Sequence, residues 1–348
     1  MGNMPTVCRP SLSLPDHVVD LDDVVLHMQH QHSEHPRLGT ALRLMRSTSV
    51  ARRHLIDPLE IVTTPRTFGQ RMRRYAEEGT RLGVSAAKQA LDEADTVCAE
   101  IDNLIVVSCT GYLLPGLDAY IANQMGLESR VRRLSFTQVG CAGGAYSLAR
   151  AQELHKAHTG AVTLIVAVEL SSLSYQAGDS SIASFVSTAL FGDAAAAVVI
   201  RDDRPGFQLN DAYEDLTHDS LGHISYVVDE LGFHFDTNPR ISRIVANAMP
   251  QLKEWLGKIG GPVDPEFLIS HTGGPRIMHE VSKGLQIPTD MFRLSEKSLQ
   301  GRGNTASVVV FDVLRQTFED PPEVGDSGLI IAFGPGVTTV AVTGSWVG

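Results

Sequence analysis

Cysteine, aromatic residues and long apolar runs are all scarce in this chain, and each scarcity removes a class of protein. Four cysteines, Cys8, Cys98, Cys109 and Cys141, occur in 348 residues. They show neither Cys-x-x-Cys spacing nor a dense pairing pattern, which argues against a zinc ribbon and a disulfide-stapled scaffold and suits a reducing cytoplasm. No apolar stretch reaches bilayer-spanning length; the run from Val162 to Leu170 is as long as a buried strand. The start carries no basic-then-apolar leader, and Met1 to Thr6 meets only the loose myristoylation pattern, too short a motif to indicate an anchor. Positive charge is also lacking: the net charge of −11 argues against general nucleic-acid binding. His27, His30, His32 and His35 crowd one short stretch without a cysteine partner or tetrahedral spacing, so they read as a solvated face and no metal is expected.

What is present is an ordinary enzyme-like composition, 43% hydrophobic and 20% charged, in a chain long enough to bury a large core. Within it, Gln138-Val139-Gly140-Cys141-Ala142-Gly143-Gly144-Ala145 sets one cysteine among glycines where the strand-like Leu134-Ser135-Phe136 gives way to a run of helix formers. Cys141 is thereby expected at a helix N-terminus, where free N–H groups and the positive end of the dipole lower a thiol pKa. The competing reading is a buried structural cysteine at a tight strand-to-helix contact.

The second half of the chain repeats the arrangement. Phe267-Leu268-Ile269-Ser270-His271 runs as an apolar strand into Thr272-Gly273-Gly274-Pro275, and Gly303-Asn304 again leads into a helical stretch. Cys109 precedes Cys141 by almost the interval at which His271 precedes Asn304, and Ala189-Leu190-Phe191-Gly192-Asp193 is echoed by Ile331-Ala332-Phe333-Gly334-Pro335. Two diverged copies of one strand–loop–helix–strand unit account for this. The division falls at the polar Arg201–Gly206 stretch, giving halves 1–205 and 206–348 that share one core. Taken singly, a strand-end histidine is a hydrogen-bonding residue and Asn304 a helix cap. Their matching places point instead to convergence with Cys141.

Gly140-Cys141-Ala142-Gly143-Gly144, Ala189-Leu190-Phe191-Gly192-Asp193, His271-Thr272-Gly273-Gly274-Pro275, Gly303-Asn304 and Phe333-Gly334-Pro335-Gly336 together resemble the type III polyketide synthases, the chalcone synthase-like family, from about Cys8 to Trp346. The resemblance implies the thiolase fold, a five-layered αβαβα arrangement of two pseudo-symmetric halves, and a homodimer. It implies an acyltransferase that needs no cofactor and uses malonyl-CoA, with or without another acyl-CoA, as substrate. Cys141 would carry the acyl chain, with His271 as an imidazolium pairing its thiolate, and His271 and Asn304 would donate to the enolate oxygen formed when malonyl loses carbon dioxide. That loss generates the carbanion, so no further catalytic carboxylate is expected, and Asp193 reads as a structural residue of its turn.

Other positions carry over by motif. Phe191 and Phe235 match two gatekeepers between the coenzyme A tunnel and the cavity, and an apolar gate favours departure of neutral carbon dioxide. Their alternative is core packing. Cys109, Tyr226, Leu114 and Ala306 match cavity positions: Tyr226 would narrow the starter pocket, Leu114 would reach into a partner's cavity, Ala306 would adjust volume, and Cys109 either lines the cavity or is an inert buried thiol. Gly273, Gly274 and Arg276 match the tunnel mouth, where a guanidinium suits phosphate. Ser108-Cys109-Thr110-Gly111-Tyr112 and Ile224-Ser225-Tyr226 look most like bacterial members, the malonyl-primed, tetrahydroxynaphthalene-forming kind in particular. An acyl-CoA-primed pyrone or resorcinol former is the alternative. A fatty-acid-type ketoacyl synthase is disfavoured because His-Gln-Ala-Asn is absent.

Two departures stand out. Arg302 replaces the aromatic residue usual before Gly-Asn, and is expected to pair with a surface carboxylate or else to alter cyclisation. Leu44 and Thr48 stand where basic residues usually meet coenzyme A phosphates, leaving Arg43, Arg46, Arg52 and Arg53 as neighbouring substitutes.

Overall fold

The computed structural model describes residues 4–238, 240–262 and 264–348, so that the first three residues of the myristoylation-like start lie outside it. Among the described residues nine strands form one mixed path, and a tenth, Ser11–Ser13, pairs with Asp193–Arg201. On one side run Asp193–Arg201, Thr163–Leu170, Asn103–Val107 and Arg132–Phe136; on the other run Gly206–Leu216, Thr338–Val347, Ser327–Gly334 and Phe267–Ser270. The two-residue strand Thr6–Val7 joins them, with Thr6 opposite both Arg201 and Gln208.

The layers follow from side-chain alternation along strands buried on both faces. In Thr163–Leu170, Ile165 and Ala167 face one cluster while Leu164, Val166 and Val168 face another. In Ser327–Gly334, Ile330 and Ala332 join that same first cluster, while Leu329, Ile331 and Phe333 face a third. The shared cluster also holds Ala145, Leu148 and Ala149 of helix Gly143–Ala157 and Val309, Val310 and Val313 of helix Val309–Thr317. These two helices are therefore sandwiched between both sides of the sheet. Outside, helix Phe68–Glu93 covers the first side with Leu82, Ala86, Ala87 and Ala90. Helices Ile241–Lys258 and Pro275–Leu285 cover the second. The order helix, sheet, helix, sheet, helix is the thiolase-like fold.

Local chemistry fixes the ends of these elements. Thr67 and Gln70 form a reciprocal capping box at the start of the long outer helix. Hairpin Ile224–Asp229/Gly232–Thr237 turns at Asp229, whose Oδ1 accepts from the N–H groups of Leu231 and Gly232. Among the described residues no helix is long and apolar enough to cross a membrane. Nor is any group of three or more His, Cys, Asp or Glu placed to hold a metal. The histidine stretch is less solvated than its sequence suggests, because His32 and His35 stack near Phe185 at 4.9 and 5.4 Å and His27 bonds Thr63 at 2.8 Å.

Candidate active site

Both central helices begin beneath equivalent loops. Gly140 (φ 59°) precedes Cys141, and Gly303 (φ 70°) precedes Asn304; each takes the left-handed conformation that glycine permits. At Gly140 a side chain is also excluded by space, since a Cβ would lie 2.4 Å from Pro335. The half-repeat noted in the sequence thus becomes a geometric one.

Cys141, His271 and Asn304 line a common cavity of ≈ 90 Å³ together with Phe191, Phe235 and Gly273. His271 follows strand Phe267–Ser270, with its N–H donating to Ile331 O at 2.9 Å, and no protein group meets its Nδ1 among the described residues. The Asn304 side chain lies within hydrogen-bonding reach of the Cys141 thiol, while its Oδ1 accepts from Ala306 N–H at 2.9 Å. Its backbone is clamped to the gate segment: Asn304 N–H donates to Leu190 O at 2.8 Å and Gly192 N–H to Asn304 O at 3.1 Å. Phe191 and Phe235 meet edge to face at 5.1 Å.

On the other side of Cys141 opens a mainly apolar chamber of ≈ 490 Å³, lined by Cys109, Tyr226, Ala306 and both phenylalanines. The hairpin sets Tyr226 opposite Phe235, with rings 5.6 Å apart. Ala306 adopts φ 47°, a strained value for a residue with a Cβ, directly after the Asn304 loop. Leu114 is 90% exposed and does not line its own chain's chamber. Gly274 (φ 111°) and the exposed Arg276 stand at the start of helix Pro275–Leu285.

The electrostatics differ from the helix-dipole expectation. Burial, with the charge of Glu169 second, pushes the Cys141 thiol up to about 12, against smaller lowering by the Asn304 side chain and a backbone N–H. Burial pulls His271 down to about 4. Both shifts favour the neutral forms, thiol and imidazole, because desolvation outweighs the lowering of the thiol by Asn304 and the backbone N–H.

Sequence reasoning missed Glu169 altogether. It is fully buried at the end of strand Thr163–Leu170, where its Oε2 accepts from Cys109 N–H at 3.1 Å and Thr110 Oγ1 at 3.0 Å, and its Oε1 from Ser307. Burial raises its carboxyl to about 7. The available signal was a lone carboxylate inside an otherwise apolar strand. Asp193 is a staple: it accepts from the N–H groups of Ile56 and Ser172 at 2.9 and 2.8 Å.

Two expectations about arginines need correction. Arg302 pairs at 3.2 Å with Asp312, which is fully buried rather than on the surface, and which also accepts from Ser298 and Gln316. Arg53 is not a surface substitute for phosphate binding, because it is 2% exposed and packed beneath Gly192 and Gly303; Arg43, Arg46 and Arg52 are exposed.

The chain matches the model of the chalcone and stilbene synthase N-terminal domain over residues 6–204 and that of the C-terminal domain over 208–344. It belongs to the chalcone and stilbene synthase family. As a type III polyketide synthase it catalyses Claisen condensation. The 1,3,6,8-tetrahydroxynaphthalene synthase of Streptomyces coelicolor is 37% identical over 346 residues, 99% of this chain and 92% of that protein. Its crystal structure superposes with a TM-score of 0.96, covering 99% of each chain. The phloroglucinol synthase of Pseudomonas fluorescens is 34% identical over 99% of both chains. Germicidin synthase, a type III polyketide synthase of Streptomyces coelicolor, is 26% identical with a TM-score of 0.94, over 99% of this chain and 100% of that one.

Proposed function

We propose that this type III synthase primes with malonyl-CoA, extends iteratively with further malonyl-CoA, and cyclises the chain to tetrahydroxynaphthalene. Convergence of Cys141, His271 and Asn304 on one cavity behind the Phe191–Phe235 gate carries the reading. Cys141 passes its proton to His271 as the thiolate attacks the starter thioester; the opposite charges formed then offset each other's desolvation. Collapse of the tetrahedral adduct expels coenzyme A thiolate, which takes the proton from His271. A second malonyl-CoA loses carbon dioxide by C–C cleavage, and the electron pair remains as an enolate whose oxygen accepts from the Asn304 amide and His271. The enolate carbon attacks the acyl-Cys141 carbonyl, a C–C bond forms, and Cys141 leaves as thiolate. The lengthened chain, now on coenzyme A, reloads for the next cycle.

The chamber supports a small starter. Tyr226 stands against Phe235 and Phe233, filling space a bulky aryl starter would need. The relative named a tetrahydroxynaphthalene synthase supports the product. Cys109 and Ala306 shape the chamber, and Gly273, Gly274 and Arg276 border the coenzyme A entry. The exposed Leu114 suits a homodimer in which it reaches the partner's chamber. Halves 1–205 and 206–348 act as one unit, without cofactor, in the cytoplasm. The purified protein given malonyl-CoA alone should form a pentaketide-derived naphthalene, identified by mass spectrometry. Strong preference for a medium-chain acyl-CoA in direct competition would turn the assignment to an alkylpyrone or resorcinol former.

A further inference from the structure

Arg53 is a buried cation that the mechanism leaves unused. Its strand, Arg52–Leu55, exposes Arg52 but carries Arg53 under the loops of Gly192 and Gly303, whose added Cβ atoms would fall 3.2 and 3.6 Å from its own Cβ. Enclosing a guanidinium is costly unless an anion answers it. Among the described residues, neither Nε nor Nη1 of Arg53 has a hydrogen-bond partner. Asp193 contributes only a longer-range field, since its oxygens accept from Ile56 and Ser172.

Arg53 lines a small cavity of ≈ 50 Å³, room enough for a carboxylate group or a few waters. Ser171, Phe191, Tyr226 and Phe235 form part of its wall and part of the wall of the Cys141 chamber as well. Ser187 and Thr188 also line it, but both hydroxyls donate to Ser184 O, at 3.0 and 2.7 Å. Of the other charged groups, Asp179 accepts from Ser181 N–H and His234 pairs with Asp229 at 2.9 Å. Among the described residues Arg53 is thus a cation of this wall whose Nε and Nη1 remain unpaired.

We propose that Arg53 anchors a side pocket that receives the free carboxylate at the far end of a malonyl-primed chain, a role that rests on the malonyl-primed reading above. Such a chain bears a carboxylate remote from its thioester, and every condensation inserts two carbons between that carboxylate and Cys141. In an apolar chamber the carboxylate would lie desolvated and unpaired. A guanidinium beyond the gate satisfies it. Pairing with the guanidinium stabilises the carboxylate over the enolate that loss of carbon dioxide would leave, so the end carboxyl stays on the chain until cyclisation, when it departs as carbon dioxide. A neutral acyl starter carries an alkyl end and gains nothing from Arg53.

The test compares wild type, Arg53→Gln and Arg53→Lys with malonyl-CoA as extender, with and without hexanoyl-CoA as competing starter. Arg53→Gln should lower the ratio of malonyl-primed to hexanoyl-primed product about tenfold or more, while hexanoyl-primed turnover, the control for folding, changes less than about threefold; Arg53→Lys should fall between. An unchanged ratio overturns the pocket. Should Arg53→Gln fail to fold, malonate should still raise the Tm of wild type saturably where malonamide does not, and equal responses to the two would overturn it. Wild type that forms no malonyl-primed product at all refutes the starter reading instead, and so is told apart from an Arg53 variant with unaltered selectivity.

Discussion

Asn304 and Glu169 show how much one buried polar atom decides here. Asn304 keeps its Oδ1 on Ala306 N–H, which leaves the amide nitrogen free to face the thiol side of the cavity. Removing one oxyanion donor typically costs on the order of 100- to 1000-fold in rate. Asn304→Ala should lose malonyl decarboxylation to that extent, followed by carbon dioxide release, while iodoacetamide still alkylates Cys141; near-normal decarboxylation would remove Asn304 from the mechanism. Glu169 has its folded-state carboxyl at about 7, above the ordinary 4.5. The folded state therefore holds the proton more tightly, so this contribution to stability is complete below pH 4.5 and gone once pH has risen through 7. Glu169→Gln should raise Tm relative to wild type progressively over that window, as wild type loses on the order of 1 kcal/mol of stability relative to the variant per pH unit. Because ionised Glu169 also opposes the Cys141 thiolate, the same variant should shift the pH profile of Cys141 alkylation to lower pH.

The two central helices owe their close crossing to glycine. A Cβ at Gly144 would come within 2.2 Å of Val310 Cγ2 and 2.4 Å of Ser307 O, so one helix start sits directly on the other. Gly144→Ala should cost about 1–3 kcal/mol by overpacking, read from urea unfolding, and should lower condensation because the helix starts carry Cys141 and the loop of Asn304. Unchanged stability would mean that the crossing relaxes freely. The hairpin works differently: the Asp229 turn sets the register, register sets Tyr226 against Phe235, and that pair forms one wall of the chamber. Arg302 belongs to this scale as well, since its bond to buried Asp312 ties the end of helix Arg293–Arg302 to helix Val309–Thr317 on either side of the Asn304 loop.

The whole molecule is built around a core that neither half owns. The central cluster draws Ile165, Ala167 and Leu148 from the first half and Ile330, Ala332 and Val313 from the second, and Thr6–Val7 seals the sheet between them. A fragment of residues 1–205 would expose its side of that cluster to water. Expressed alone it should lack cooperative thermal unfolding by circular dichroism, and gain it on co-expression with 206–348; independent cooperative folding of either piece would contradict a common core.

The sequence by itself determined the residues that a short-range signal can mark. Glycine beside Cys141 and Asn304, the strand ending at His271, and the repeated spacing were legible because backbone freedom and apolar periodicity are local properties. Family membership, the layered fold and the Phe191 motif came from ordered motifs of the same local kind. Only the tertiary structure decided the rest. Glu169 looked like one residue of an apolar strand until folding enclosed it beside Cys109 and Ser307. Arg53 and Arg302 looked like surface charges until one was packed beneath the gate and the other bonded to buried Asp312. The upward shift of the Cys141 thiol and the downward shift of His271 are likewise tertiary, because desolvation depends on every neighbour that excludes water, and those neighbours come from segments far apart in the chain.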